Sequence, residues 1–328
     1  MSLSRRRFLE TATVSSVAAA GLNAAKSKGP ADTPLQTRML GKTGQRVSVL
    51  GMGCGSKFLA YQDEDDAIAA IHKALDLGIT YFDTAVAYGN GLSEARVGKA
   101  LAGRRDSVWI TTKVDEREGD SARATIDQCL RRLQTDRIDL VHIHALTDSD
   151  DLARIEAKDG VLNGLLKLKL EGVIRNVGIS SHSDPEVLRT ALERHPFDCT
   201  QMALNAALVG MKNGPSSMLI NPAITTSFEQ IALPVANRKG LGVLAMKVFA
   251  QDYLTDQAPA DKLIRYSLSL PVTACVIGMP KPQMIADNVE TVKAFEPMPR
   301  DEMNRMAGSL AIHHKANIDR FFHSHIDC

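Results

Sequence analysis

The chain contains 328 residues, with a formal net charge of +1 and a pI near 7.7. With this charge balance the chain has no excess of basic residues to attract nucleic acid. An aromatic content of only 5% also offers few rings for stacking on bases. The five cysteines are scattered, without the close pairs of a zinc or disulfide framework. Beyond the N-terminal segment, no apolar run reaches the roughly 18 residues that a membrane span requires.

The N-terminal segment has the pattern of an export leader. Arg5-Arg6-Arg7 precedes Phe8-Leu9 and a run of small and apolar residues, which resembles a twin-arginine signal. A disordered basic tail is the alternative interpretation. We predict that residues 1–34 are cleaved or disordered, and that the twin-arginine machinery exports the remaining domain, residues 35–328, to the periplasm. Without a working leader, the protein would stay in the cytoplasm.

From Thr37 onward, short apolar segments alternate with amphipathic ones. A small hairpin turning at Lys42-Thr43-Gly44 is predicted first. The predicted strands are Val47–Gly51, Thr80–Asp83, Val108–Lys113, Leu140–His144, Val177–Ser180, Thr200–Ala203, Gly242–Met246 and Ala274–Ile277. The predicted helices are Asp65–Leu77, Ser93–Leu101, Ser121–Leu133, Gly160–Glu171, Pro185–Glu193, Phe228–Lys239, Asp261–Leu270 and Pro282–Ala294.

Eight strand–helix units of this kind favour one closed α/β barrel of the (β/α)8 (TIM) type, preceded by the hairpin. The strands are short and continuously apolar, as in a parallel sheet that helices cover on the outside. An open dinucleotide-binding sheet is the alternative, and it would place G-x-G-x-x-G directly before a helix. The segment from Gly51 to Ser56 contains glycines, but the third comes early and no helix is predicted before Asp65.

Four residues with suitable chemistry fall at the ends of three consecutive predicted strands: Asp83, Tyr88, Lys113 and His144. The active site of such a barrel lies at the carboxyl ends of its strands, which are about 4.8 Å apart, so these side chains should share one pocket. A phenol is a weak acid at neutral pH and needs a nearby cation to transfer its proton easily. Lys113 can supply that cation, Asp83 can anchor it, and His144 can orient a carbonyl oxygen.

A metal site is the competing interpretation of the histidines. His142 and His144 form a His-x-His pair on one strand face. Lys113 would repel a divalent cation there, so we predict no metal and a hydrogen-bonded interior role for His142. The terminal His323 and His325, near Cys328, are similarly interpreted as a solvated end of the chain.

Taken together, the ordered segments resemble the aldo-keto reductase superfamily. The matching segments are FDTAVAYGNGLSEARVGKAL, TTKV, DLVHIHA, VGISSH, the strand with Gln201, GVLAMKVF and VIGMPKPQMIADNVE. They cover nearly everything between Thr37 and Phe295. The resemblance implies that Tyr88 is the proton donor, that Lys113 and Asp83 tune it, and that His144 orients the carbonyl group.

The resemblance also implies a nicotinamide nucleotide site. Ser180, Ser181 and Gln201 would bind the carboxamide, with Ser181 in place of the asparagine that is more usual in the family. The other implied contacts are Met246 at the nicotinamide ring, Lys247 at a phosphate, Gly53 and Cys54 beside the ribose, Gly278 and Lys281 before the last helix, and Asn288 at the adenine.

NADPH is the implied cofactor, with NADH as the alternative. Family members often use Lys or Arg before the final helix to bind the 2′-phosphate, whereas Gly278–Met284 contains Lys281 as its single cation. The implied reaction is reduction of an aldehyde or ketone, on a small molecule or a sugar, to an alcohol. A nucleotide-binding barrel that serves as a sensor or regulatory subunit, with little turnover, is the alternative function.

Overall fold

The computed structural model describes residues 34–214, 218–221 and 224–311. The leader segment up to residue 33 and the terminal His323, His325 and Cys328 lie outside the described residues. The strands are β1 (Thr37–Met39), β2 (Arg46–Ser48), β3 (Leu50–Gly53), β4 (Tyr81–Asp83), β5 (Trp109–Val114), β6 (Leu140–Ile143), β7 (Val177–Ser181), β8 (Cys199–Ala203), β9 (Met211–Asn213), β10 (Met218–Ile220), β11 (Gly242–Met246) and β12 (Ala274–Ile277).

Helices follow the barrel strands and cover them from outside. They are α1 (Ser56–Leu59), α2 (Glu64–Asp76), α3 (Leu92–Ala100), α4 (Gly119–Leu133), α5 (Ser149–Glu156), α6 (Val161–Leu170), α7 (Pro185–Arg194), α8 (Ala232–Arg238), α9 (Ala260–Ser269) and α10 (Pro282–Lys293). Residues 300–311 are also helical. None of the helices in the described part of the chain is long and apolar enough to cross a membrane.

Eight parallel strands close into a barrel, which confirms the predicted (β/α)8 fold. Strands β3 to β8 pair in chain order, β8 pairs with β11, and β12 joins β11 to β3. Both faces of each strand are buried, the inner face by other strands and the outer face by helices. This double burial explains why the segments are continuously apolar rather than alternating.

The predicted N-terminal hairpin closes the amino-terminal end of the barrel. Strands β1 and β2 pair antiparallel, with Arg38 opposite Val47. Leu40 and Val47 from this hairpin are buried in one cluster with Tyr81 and Leu244 inside the barrel. At Gly242 a Cβ atom would lie 2.6 Å from the Leu40 side chain, so a glycine there allows the hairpin to pack closely.

Two helix starts show how local sequence set the helix boundaries. The Asp184 carboxylate accepts hydrogen bonds from the first-turn N–H groups of α7, and Pro185 occupies the first helical position. Ser93, the first residue of the predicted helix, is the second residue of α3. Its hydroxyl is buried and donates to the carbonyl of Cys54, so it ties α3 to the loop after β3.

Candidate active site

The carboxyl ends of β4 and β5 bring Asp83, Lys113 and Tyr88 together. Lys113 Nζ lies 2.5 Å from Asp83 Oδ1 and 3.2 Å from Tyr88 Oη. The same ammonium donates to the Thr84 carbonyl at 2.9 Å, and it stands 4.8 Å from the centre of the Tyr88 ring. The three side chains that the sequence placed at neighbouring strand ends therefore form one connected group.

The strand register and the following loop produce this geometry. Asp83 is the last residue of β4 and pairs with Thr111 of β5. Lys113 follows Thr111 by two residues and so lies on the same face of β5, one step nearer the barrel mouth. The N–H of Val86 then donates to the Lys113 carbonyl at 3.2 Å, which turns the loop back and carries Tyr88 over the ammonium.

Burial makes the pairing strong and also sets the charge states. Lys113 is 1% exposed and Asp83 is 3% exposed. Burial acts to lower the pKa of Lys113, but the charge of Asp83 and the nearby phenol raise it above its ordinary value, so the ammonium persists. Burial raises the pKa of Tyr88, and the charge of Lys113 offsets this only in part. At neutral pH, the site therefore holds an ammonium beside a protonated phenol.

His144 directly follows β6 and faces the tyrosine. Its ring meets the Tyr88 ring edge-on, with the centroids 5.9 Å apart. His144 Nδ1 lies 2.8 Å from Asp115 Oδ1. The sequence interpretation did not single out Asp115, although its position two residues after Lys113, on the same strand face, was a usable signal.

His142 is buried deeper in the barrel. It is fully buried, and neither ring nitrogen has a hydrogen-bond partner in good geometry among the described residues, whereas a hydrogen-bonded ring was predicted. The ring is wedged against Gly178, where an added Cβ atom would lie 2.4 Å from His142 Nδ1. Burial, together with the charge of Lys113, lowers the pKa of His142 well below its ordinary value, so the ring is neutral. The described residues contain no cluster of three metal-ligating side chains.

A cleft of about 510 Å³ opens beside the tyrosine at the barrel mouth. Asp83 and Tyr88 contribute to its wall. Five of the ten predicted nucleotide contacts also line it: Gly53, Gln201, Met246, Lys247 and Gly278. Met218 of β10 also lines the cleft. It belongs to a short hairpin within the Leu204–Ser227 stretch, where the sequence indicated no elements.

Two buried amide groups are available to a ligand. Gln201 donates from Nε2 to Asp83 Oδ2 at 3.3 Å, but no donor among the described residues reaches its buried Oε1 atom. Asn288 Nδ2, on α10, is buried and likewise has no acceptor in the described part of the chain. Buried polar atoms are costly unless paired. An acceptor beside the catalytic group and a donor on the last helix fit the carboxamide and adenine of a nicotinamide nucleotide.

The remaining predicted contacts do not line the cleft. Ser180 and Ser181 are buried and bonded to the loop after β6: Ser180 Oγ accepts from the Ala145 N–H at 2.9 Å, and Ser181 Oγ donates to the Leu146 carbonyl at 2.8 Å. Cys54 is fully buried, and its N–H donates to the Asp83 carbonyl at 2.7 Å. Lys281 is exposed as the residue before Pro282 at the start of α10.

Two further lysines shape the cleft. Lys57, which was not predicted, forms an ion pair with Asp252, so the short helix α1 is joined to the segment after β11. Lys247 has a left-handed backbone, with φ of +57°. Burial and the nearby charge of Lys113 lower the pKa of Lys247 to about 8. An anionic phosphate would relieve this cost of holding a second ammonium in the cleft.

Residues 49–262 match the sequence model of the Aldo/keto reductase family. The chain is 29% identical over 311 residues to an L-galactose dehydrogenase from Arabidopsis thaliana, an alignment that covers 82% of this chain and 92% of that protein.

Solved structures share the fold. An aldo-keto reductase from Bacillus halodurans, in its holo form, superposes with a TM-score of 0.68 and 26% identity, covering 84% of this chain and 96% of that one. A Klebsiella pneumoniae aldo-keto reductase in complex with NADPH gives a TM-score of 0.65 at 21% identity, covering 85% and 95%. The family match spans more than half of the sequence, and the chain therefore belongs to the aldo/keto reductase family of oxidoreductases.

Proposed function

We propose that this protein reduces a carbonyl group on a small molecule or sugar to an alcohol, with NADPH as the reductant. The observation that supports this most strongly is the position of Lys113 Nζ, which lies between Asp83 and Tyr88 at the wall of the cleft. A sugar substrate class is consistent with the L-galactose dehydrogenase relative, whose name specifies a sugar. NADPH as the reductant is consistent with the Klebsiella pneumoniae aldo-keto reductase, which has the same fold and was solved in complex with NADPH.

In this proposal each residue has one role. When bound, the nucleotide supplies a hydride to the carbonyl carbon. Tyr88 donates its phenolic proton to the carbonyl oxygen, and the Lys113 ammonium stabilises the phenolate that remains. Asp83 holds the ammonium in place through the 2.5 Å contact. His144 donates a hydrogen bond to the same oxygen and so orients the substrate.

The nucleotide is proposed to extend from Gln201 to α10. Gln201 Oε1 would accept from the carboxamide, and Met246 would cover one face of the ring with its thioether. Lys247 would bind a phosphate and Asn288 the adenine. Ser180 and Ser181 support this site by fixing the loop after β6. Gly53 and Gly278 line the cleft, whereas Cys54 is fully buried and is bonded to the Asp83 backbone.

We predict that Lys281→Ala raises the KM for NADPH by about three- to tenfold, the effect of losing one partly exposed charge-assisted contact. The KM for NADH should stay nearly constant, since NADH lacks the 2′-phosphate. Steady-state kinetics with both nucleotides measure this. Lys158→Ala, another exposed lysine on the loop before α6, serves as the charge-matched control. Equal changes in KM for the two nucleotides would show that Lys281 does not bind the 2′-phosphate.

Steady-state oxidation of NADPH with a panel of small aldehydes and aldose sugars tests the function itself. Turnover that depends on the carbonyl compound is expected. A sensor or regulatory barrel would bind the nucleotide and show negligible turnover with every compound of the panel. The intact Asp83–Lys113–Tyr88 group favours the enzyme, since tight binding of a nucleotide does not require a phenol beside an ammonium.

We also propose that the twin-arginine machinery exports the protein. This proposal rests on the N-terminal sequence alone. Twin-arginine substrates cross the membrane folded, so an exported reductase could carry a nucleotide that was loaded in the cytoplasm. Purified mature protein should then release nicotinamide nucleotide on acid treatment. Recovery of the protein from the cytoplasm with an uncleaved N-terminus would argue against export.

A further inference from the structure

The catalytic histidine has a carboxylate partner. Asp115 lies in the loop after β5, and its Oδ1 atom is 2.8 Å from His144 Nδ1. The Asp115 side chain is 49% exposed, whereas His144 is 16% exposed. The pair thus spans the edge of the site, with the carboxylate on the solvent side and the ring facing Tyr88.

This contact determines which nitrogen of His144 carries a proton. An ionised carboxylate only accepts hydrogen bonds, so Nδ1 must be the protonated nitrogen of the pair. The neutral ring then has a lone pair on Nε2 and cannot donate from that atom. Nε2 donates a hydrogen bond only when the ring carries both protons.

We propose that Asp115 is a positioning residue that holds His144 as an imidazolium, with Nε2–H available to the carbonyl oxygen of the substrate. The inference rests on the reductase function proposed above. A hydrogen bond from a charged donor is about twice as strong as a neutral one, and it strengthens as negative charge develops on the oxygen. Reduction should therefore slow as rising pH removes the second proton from His144.

Charged groups and rings from several elements surround His144. Asp115 is the carboxylate in direct contact. Arg117 holds the backbone, because its Nη2 donates to the His144 carbonyl at 2.8 Å while its guanidinium pairs with Asp151. The cations and rings that face the site are Lys113 from β5, Tyr88 from the loop after β4, His142 within β6 and His182 after β7.

The Asp115 carboxyl is ionised at neutral pH. Burial acts to raise its pKa, but its hydrogen bond to His144 and the histidine charge outweigh burial, so this pKa lies below its ordinary value. The group that faces Nδ1 of His144 is therefore a carboxylate, which can only accept a hydrogen bond.

Asp115→Asn tests the proposal by removing the charge and keeping the shape. At neutral pH, kcat/KM for carbonyl reduction should fall by about tenfold, the effect of losing one hydrogen bond to a charged group. The loss should shrink as the pH is lowered, because both proteins then carry the imidazolium. Asp115→Glu should restore most of the activity. Asp120→Asn, an exposed aspartate five residues further on, should leave the pH profile unchanged.

A second readout does not depend on turnover. In protein labelled with ¹⁵N-histidine, NMR reports which ring nitrogen is protonated, and His144→Gln assigns the signal. Wild type should show protonated Nδ1, and Asp115→Asn should take up the second proton at lower pH. An unchanged protonation pattern and an unchanged pH profile in Asp115→Asn would overturn the proposal. Absence of reductase activity in wild type would instead refute the proposed function, while the NMR result would still decide the role of Asp115.

Discussion

Replacement of Tyr88 by phenylalanine is expected to lower kcat for carbonyl reduction by about 10²- to 10⁴-fold, the usual contribution of a positioned proton donor. The variant keeps the ring that packs beside Lys113 and the His144 edge. It removes only the hydroxyl that lies 3.2 Å from the ammonium. Because the rest of the cleft wall is preserved, the dissociation constant for NADPH should be nearly unchanged.

The measurement pairs single-turnover kinetics with a nucleotide-binding titration. Tyr61→Phe is the matched control, since its hydroxyl donates to the Met279 carbonyl at 3.2 Å and takes no part in the proposed chemistry. That control should keep full turnover. If Tyr88→Phe also kept full turnover, the proton would have to come from another group, and the assigned role of Tyr88 would be wrong.

The second large effect is expected from Lys113→Met, which should lower the free energy of unfolding by about 3–5 kcal/mol. Methionine fills similar space but leaves the Asp83 carboxylate buried, with Gln201 Nε2 as the remaining side-chain donor at 3.3 Å. Burying a charge without its partner is costly. The rate of reduction should fall as well, since the phenolate of Tyr88 would lose its stabilising cation.

A double-mutant cycle separates these two consequences. Lys113→Met combined with Asp83→Leu removes both charges and should recover much of the lost stability but none of the activity. Denaturant unfolding of the two single variants and the double variant measures the coupling. The exposed pair of Lys99 and Glu64 provides the comparison, because Lys99→Met should cost less than about 1 kcal/mol. Additive losses at Lys113 and Asp83 would contradict a coupled buried pair.

The fold could be predicted from the sequence because a barrel strand that is buried on both faces is apolar at nearly every position. Each barrel strand is a short apolar run, and its observed limits differ from the predicted ones by a few residues at most, as in β5, which spans Trp109–Val114. One helix boundary was less predictable: Phe228, the predicted start, is buried ahead of α8, which begins at Ala232. Helix α3 begins at Leu92, one residue before its predicted start, after Gly91 in a left-handed conformation.

The site was predictable where strand order alone determines proximity. Asp83 and Lys113 end adjacent strands, so their contact follows from the barrel topology. Partners that depend on loop conformation were not predictable in the same way. The Asp115–His144 pair joins two different loops, and the Lys57–Asp252 pair joins α1 to the segment after β11. No local periodicity indicates how such segments meet. The hairpin of β9 and β10 was missed because its strands have three residues each.

A crystal structure of the protein with bound NADPH and a small carbonyl compound would show whether nucleotide and substrate meet at Tyr88. The nicotinamide should lie against Met246 with its carboxamide at Gln201 Oε1, and the carbonyl oxygen should be within hydrogen-bond distance of both Tyr88 Oη and His144 Nε2. A nucleotide bound elsewhere on the barrel, or a carbonyl oxygen far from Tyr88 Oη, would contradict the proposed mechanism.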